Sequence, residues 1–322
     1  MQLTKLTEEM QLAAEKSKTL YQEAINLIKY ILKQAEALEP INLQNIFSIT
    51  DSIINQMMLY DAEFLHLVNS ADTSENYLCS HSLNVLILSI EVGLGLGYNK
   101  SRLNESSIGA LFHDIKILKV SDLASQPKGL AKEEYDLIKE RPFYGVELLQ
   151  KIKGSSDVAI YVAKEQLERR GDSGYPRVLE NGYIKEYAKL ISLVEAYENL
   201  MRPYGSGKRY APHEAIKEIL SMGLKSFESK MVKALINRVG IYPVGTWVKL
   251  ETGEIAKVLD LDRNLPLRPV VYIMFDKHEK RLKEPRILNL AKQYNVYIKR
   301  PLADEELEKI AKTQQERLNE AI

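Results

Sequence analysis

The chain has 322 residues, 45% of them apolar, and its 44 basic and 44 acidic side chains cancel. That length makes two domains or one large one, and the balanced charge excludes any global attraction for a nucleic-acid polymer or an anionic membrane. One cysteine, Cys79, excludes an internal disulfide and fits a cytoplasmic setting, while no signal peptide and no apolar run near the roughly 20 residues of a membrane span are recognised.

Residues 1–70 read as helical, with Pro40 as the only breaker. Leu20, Ala24, Leu27, Ile31, Ala35 and Leu38 recur at steps of three and four, which places them on one apolar stripe. Ile46, Ile49, Ile53, Met57, Phe64 and Leu67 continue the pattern after Pro40. Two readings stand for this region: a stalk that dimerises or receives a signal, or two helices packed on the main domain. Residues 71–76 form a polar break. Leu83 to Val92 is the most apolar stretch, and Asn84, Ser89 and Glu91 within it mark a buried core helix. Gly93, Gly95 and Gly97 close that helix, and Leu103 to Ile117 is predicted as the next. A turn at 127–129 precedes a helix over 131–152, which Pro142 splits or restarts. Further helices are predicted over 157–168, 184–200, 212–223 and 228–238, with a glycine-rich turn, GDSGYP, at 171–176. From Tyr242 the period changes to alternation: strands are predicted at 246–250, 254–260, 270–275 and 296–298, and a charged helix over 302–322.

The chemistry concentrates at His113-Asp114, behind the small and apolar run Ile108-Gly109-Ala110-Leu111-Phe112. An imidazole and a carboxylate that converge on one point suit a divalent ion. A bare His-Asp pair is weak evidence, so its context decides. His81 lies upstream in ENYLCSHSLNVLILSIEVG; GDSGYP and LVEAYENLMRPY lie downstream. Cys79 reads as a small buried hydrophobe rather than a ligand, and His66, His213 and His278 match no motif.

In that order and spacing these pieces resemble the HD-GYP branch of the HD phosphohydrolase superfamily, from about Tyr77 to Met231, with YPVGTWVKLETGEIAKVL similar to an extension such proteins carry. The resemblance implies a mainly α fold: an HD-domain helical bundle with N-terminal helices and a small C-terminal β-subdomain. The expected boundaries are 1–70, 71–239, 240–300 and 301–322. Active members of that family hydrolyse cyclic di-GMP at two or three metal ions. By this resemblance His81, His113 and Asp114 match metal ligands, and Glu195 stands where a late Asp would be. Other positions depart. Arg141 replaces the His before Pro, Gln166-Leu167 replaces a double His, and HDIKI replaces HDIGK, leaving Ile117 in place of a substrate lysine. The ligand-recognising pieces stand complete: Arg169 with Glu168, then Gly174-Tyr175-Pro176, then Arg202-Pro203-Tyr204.

The surviving ligands hold at most one ion, and a site for two needs more. No cofactor is expected, or else one divalent ion (Fe, Mn or Zn). Arg141 is expected to block the site as a fixed cation, paired with Asp114 or Glu195. Whether Lys116 reaches the site in place of the missing lysine is open at this level. The functional expectation is a catalytically inactive signalling module that binds cyclic di-GMP or a partner protein, such as a diguanylate cyclase. The alternatives are a weak phosphohydrolase with one metal, using remnant His113 and Asp114, and a scaffold without nucleotide that dimerises through its N-terminal helices.

Overall fold

The computed structural model describes residues 2–70, 77–119, 141–168, 184–203, 208–303, 305–310 and 312. The chain divides into two compact units: Met1–Ala211 with Ala215–Leu235, and Pro212–Glu214 with Ile236–Ile322.

The first unit is helical. Helices α1 (Gln2–Glu36) and α2 (Leu43–Ser70) precede α3 (Tyr77–Gly95) and α4 (Lys100–Phe112). A 3-10 turn (Ile115–Lys119) follows, then α5 (Arg141–Lys151), α6 (Asp157–Glu165), α7 (Glu186–Met201) and α8 (Pro212–Ser226), while α9 (Ser229–Val239) runs on to the sheet. Pro142 takes the first turn of α5, where its missing N–H is harmless. Helix α3 lies at the centre, packed on α1, α2, α4 and α7. It is long and apolar enough to cross a membrane by length and composition, at a mean hydropathy of 1.4, but 78% of that window is buried inside the protein. The helix corrects the expectation that no apolar run approaches that length. The helix ends in a Schellman turn: Tyr98 N–H donates to Gly93 O at 2.9 Å, and Gly97 N–H to Leu94 O at 3.1 Å. Gly97 takes the required left-handed conformation at φ 75°.

Of the two readings of residues 1–70, the structure has the packed one: α1 lies on α2 and α3 within the same unit. The buried stripe is also shifted from the expected one. Ala24, Ile28, Ile31, Leu32 and Ala35 are buried, whereas Leu20 and Leu27 are only half-buried and Leu38 is exposed.

The second unit holds a five-stranded antiparallel sheet in the order β4-β3-β2-β1-β5, from strands β1 (Trp247–Leu250), β2 (Ile255–Asp260), β3 (Val270–Phe275), β4 (Arg281–Asn289) and β5 (Ile298–Pro301). Alternate residues Val248, Leu250, Ala256, Val258, Val271 and Ile273 fill its core. Two expectations need correction. The last strand covers Ile298–Pro301 rather than 296–298, and β4 was not foreseen. Its sequence, RLKEPRILN, is polar and contains Pro285, which argues against a strand. The sheet tolerates it because β4 is an edge strand, and its pairing with β3 is irregular between Ile273↔Arg286 and Phe275↔Arg281, which brackets the proline. The predicted turns at 71–76, 127–129 and 171–176 lie outside the described residues, as does most of the terminal helix.

Candidate metal centre

Four side chains, from two helices and the end of a third, meet at the middle of the helical unit. His81 comes from α3, His113 and Asp114 follow the last residue of α4, and Glu195 comes from α7. One ligand atom from each lies within 4.8 Å of all the others, and all four residues are buried. Gly109 lies where α4 passes close to α6 and α7. A Cβ there would stand 2.9 Å from both Ile191 Cδ1 and Val162 Cγ2, so a larger residue would force those two side chains to shift.

The His-Asp pair is not inside a helix, as the predicted 103–117 segment had it. Helix α4 ends at Phe112, and Ile117 N–H donates to Asp114 O at 2.9 Å as the chain tightens into the 3-10 turn. The pair sits between the α-helix and that turn, and although successive residues of a helix point about 100° apart, one ligand atom of each still lies within 4.8 Å of the other. The end of α4 frees the carbonyl of His113, and Gln166 answers it: its Nε2 donates to His113 O at 2.7 Å. Gln166 stands where the family pattern has an imidazole; its amide nitrogen is spent on the backbone.

The hydrogen bonds fix both imidazoles. His113 Nδ1 faces the carbonyl oxygen of Ala110 at 2.6 Å. A carbonyl only accepts, so Nδ1 carries the proton and Nε2 offers its lone pair inward. His81 Nδ1 faces Glu198 Oε2 at 2.6 Å, which likewise places a proton on Nδ1. The two Nε2 atoms then face each other at 3.0 Å. Two bare lone pairs at that distance repel, so a proton or a cation must sit against them. Burial pulls the His81 pKa down, but the Glu198 carboxylate outweighs it, with Asp114 and Glu195 adding, and the net shift is upward. Burial and the neighbouring His81 charge push His113 down to about 3. One proton therefore belongs to the pair, held on His81 and donated to His113.

Glu198 is the residue that sequence reading missed. It lies fully buried one turn after Glu195 on α7. Its Oε1 accepts from Asn84 Nδ2 at 3.1 Å and from Arg202 Nε at 2.8 Å, while Oε2 meets His81. Burial alone would raise its pKa; the His81 and Arg202 charges win and hold it at about 2. The signal was present in the spacing, since 195 and 198 share a helix face and 198 and 202 are an i,i+4 pair. Tyr77, four residues before His81, stacks on its ring at 5.4 Å between centroids, 9° from parallel.

Lys116 answers the question left open by the sequence. Its side chain is buried and its Nζ lies 2.7 Å from Asp114 Oδ1. The residue that replaces the motif glycine thus places an ammonium against one of the four candidate ligands. Arg202, expected among the ligand-recognising residues, is buried with its Nε on Glu198. Arg141 is the first residue of α5, but its side chain lies outside the described residues, so the expected pairing with Asp114 or Glu195 lies there too. Arg169, Gly174, Tyr175, Pro176 and Tyr204 also lie outside them.

The donor set fits one ion. Two nitrogens and two carboxylate oxygens suit Zn, Fe or Mn. Nitrogens on a tetrahedral ion with bonds of about 2.0–2.1 Å stand about 3.3 Å apart, so the 3.0 Å between the imidazoles needs little opening. Binding would displace the shared proton, as ligating imidazoles must be neutral.

Comparison with known proteins places this geometry. Residues 69–231, half of the chain, match the HD domain family, and residues 247–310 match the KOW domain associated with HD domain. Among curated proteins, the chain is 27% identical over 253 residues to the cyclic di-GMP phosphodiesterase PA4108 of Pseudomonas aeruginosa, covering 78% of this chain and 60% of that one. It is 28% identical over 215 residues to the cyclic di-GMP phosphodiesterase PdeB of Borreliella burgdorferi, covering 64% and 56%. The chain therefore spans less than two thirds of the length of these relatives. Among solved structures, Bd1817, an HD-GYP-type protein from Bdellovibrio bacteriovorus, superposes with a TM-score of 0.56 at 19% identity, over 69% of this chain and 71% of that one. That likeness speaks for the fold alone. With the HD domain matched across half its length and the histidine-carboxylate cluster at the centre of the bundle, this chain belongs to the HD domain family, in its HD-GYP branch.

Proposed function

We propose that this chain is a signalling protein of the HD-GYP branch that binds cyclic di-GMP without hydrolysing it efficiently. The observation that carries this reading is the Lys116 ammonium, 2.7 Å from Asp114 Oδ1. In the active pattern the carboxylate of the HD pair serves metal ions; here a tethered cation shares it. The amide of Gln166, turned onto His113 O, supports the same reading, because the position of an imidazole ligand has become part of the scaffold. His81, His113, Asp114 and Glu195 are the residues that would hold a single ion. Such an ion supplies a Lewis acid and acidifies a bound water. The chain's own part is to hold both Nε2 atoms inward through Ala110 O and Glu198.

The four-donor cluster favours a second reading, a phosphohydrolase with one metal. One sample separates the two: metal analysis, cyclic di-GMP turnover and titration calorimetry with cyclic di-GMP on the same purified protein. Binding heat with negligible turnover supports the binding module. Turnover that scales with bound Fe, Mn or Zn supports the enzyme and sinks the first reading. The substitution Lys116→Met removes the internal cation and is expected to tighten divalent-ion binding by about tenfold or more, since a like charge within bonding distance of a ligand opposes the ion.

A further inference from the structure

The first helix reaches the metal centre through an unbroken line of hydrogen bonds. Tyr21, on α1, donates its hydroxyl to Asn84 Oδ1 at 2.9 Å. Asn84 is fully buried on α3, and its Nδ2 donates to Glu198 Oε1 at 3.1 Å. The other oxygen of Glu198 holds His81 Nδ1 at 2.6 Å, and His81 Nε2 faces His113 Nε2 at 3.0 Å.

We propose that Tyr21 is a positioning residue for the metal centre, through which α1 sets the orientation of His81. An amide side chain has a donor end and an acceptor end of nearly equal shape. Asn84 must present its NH2 to the carboxylate, because its oxygen there would face Glu198 Oε1 with two acceptors in contact. Tyr21 is the donor that holds the amide oxygen on the opposite side. Burial, tempered by Arg202 and reinforced by Glu198, raises the Tyr21 pKa to about 12, so the hydroxyl keeps its proton and its role as donor. Removing it frees the amide to turn, loosens Glu198, and lets the His81 ring rotate away from the geometry that faces His113. Tyr21 lies 48 residues before residue 69, where the HD domain match begins, so this control comes from outside the matched domain.

This inference rests on the proposal that the cluster takes an ion, but its test does not. The substitution Tyr21→Phe keeps the ring and removes one oxygen. Tyr30→Phe, on the exposed part of the same helix, is the control. Two quantities are measured for each: the dissociation constant for Zn2+ by competition with a chelating dye, and the His81 ring nitrogen signals by NMR in metal-free protein. A net hydrogen bond of about 0.5–1.5 kcal/mol corresponds to about a two- to tenfold change in affinity. The expected result is Zn2+ binding weaker by that factor and shifted His81 signals in Tyr21→Phe only. Unchanged His81 signals in Tyr21→Phe overturn the inference, as does an equal effect in Tyr30→Phe. If wild-type protein takes up no Zn2+ while the His81 signals still shift in Tyr21→Phe, the single-ion reading fails and the link from α1 stands.

Discussion

The two compact units bury opposite kinds of core. In the sheet, Val248, Leu250, Ala256, Val258, Val271 and Ile273 meet with no charge among them, and simple alternation accounts for every one. At the centre of the helical unit lie His81, His113, Asp114, Lys116, Glu195, Glu198 and Arg202, all buried. Burial of apolar surface stabilises a fold directly. A buried charge network seldom adds stability over apolar side chains of the same volume, yet removing one member is costly because it strands the others. The sheet core is therefore explained by folding alone, and the helical centre is not. That contrast is what makes the centre the candidate site.

Four changes break or sharpen this contrast. The largest effect is expected from Glu198→Ala, which strands His81 and Arg202 and should destabilise by about 3–5 kcal/mol in chemical unfolding; a loss below about 1 kcal/mol would show that the network is idle. In the sheet, Ile273→Ala should cost about 2–5 kcal/mol while leaving divalent-ion uptake by the helical cluster untouched. Coupled loss of both would erase the distinction between the two cores. Acid titration tests the network from another side. The Glu198 pKa falls from 4.5 to about 2 on folding, so its contribution is fully present above pH 4.5 and disappears as pH falls toward 2. Unfolding free energy measured over that window should fall less steeply in Glu198→Gln than in wild type; identical slopes would contradict the shift. The smallest effect is expected at the surface. Arg300 and Glu306 form a bidentate pair at 2.6 and 2.7 Å, but both are exposed, so Arg300→Ala should cost at most about 1 kcal/mol.

The legible part of the molecule was the part written in spacing. The positions of His81, His113, Asp114 and Glu195 along the sequence matched a known arrangement, and the fold brings these four together. Helix periodicity gave the helices, the family resemblance implied their bundle, and alternation gave β1 to β3. What escaped depends on tertiary context. Glu198 looked like one more helical acid, since its meaning comes from His81 at a separation of 117 residues. Lys116 sits one place before the expected lysine position, and only the 3-10 winding after Phe112 turns it onto Asp114. The end of α4 carries no glycine or proline to announce it. Strand β4 has the composition of a loop and exists because β3 pairs with it.

Pro285 on that strand has a further consequence. β4 closes one side of the sheet, and an outermost strand normally offers a row of free amides on which a foreign strand can grow. An imino acid in the middle of the row, between Glu284 and Arg286, lacks one of the amides that such a template needs. Main-chain pairing along this border is broken at that position, which works against the ribbon-like self-association to which open sheets are prone.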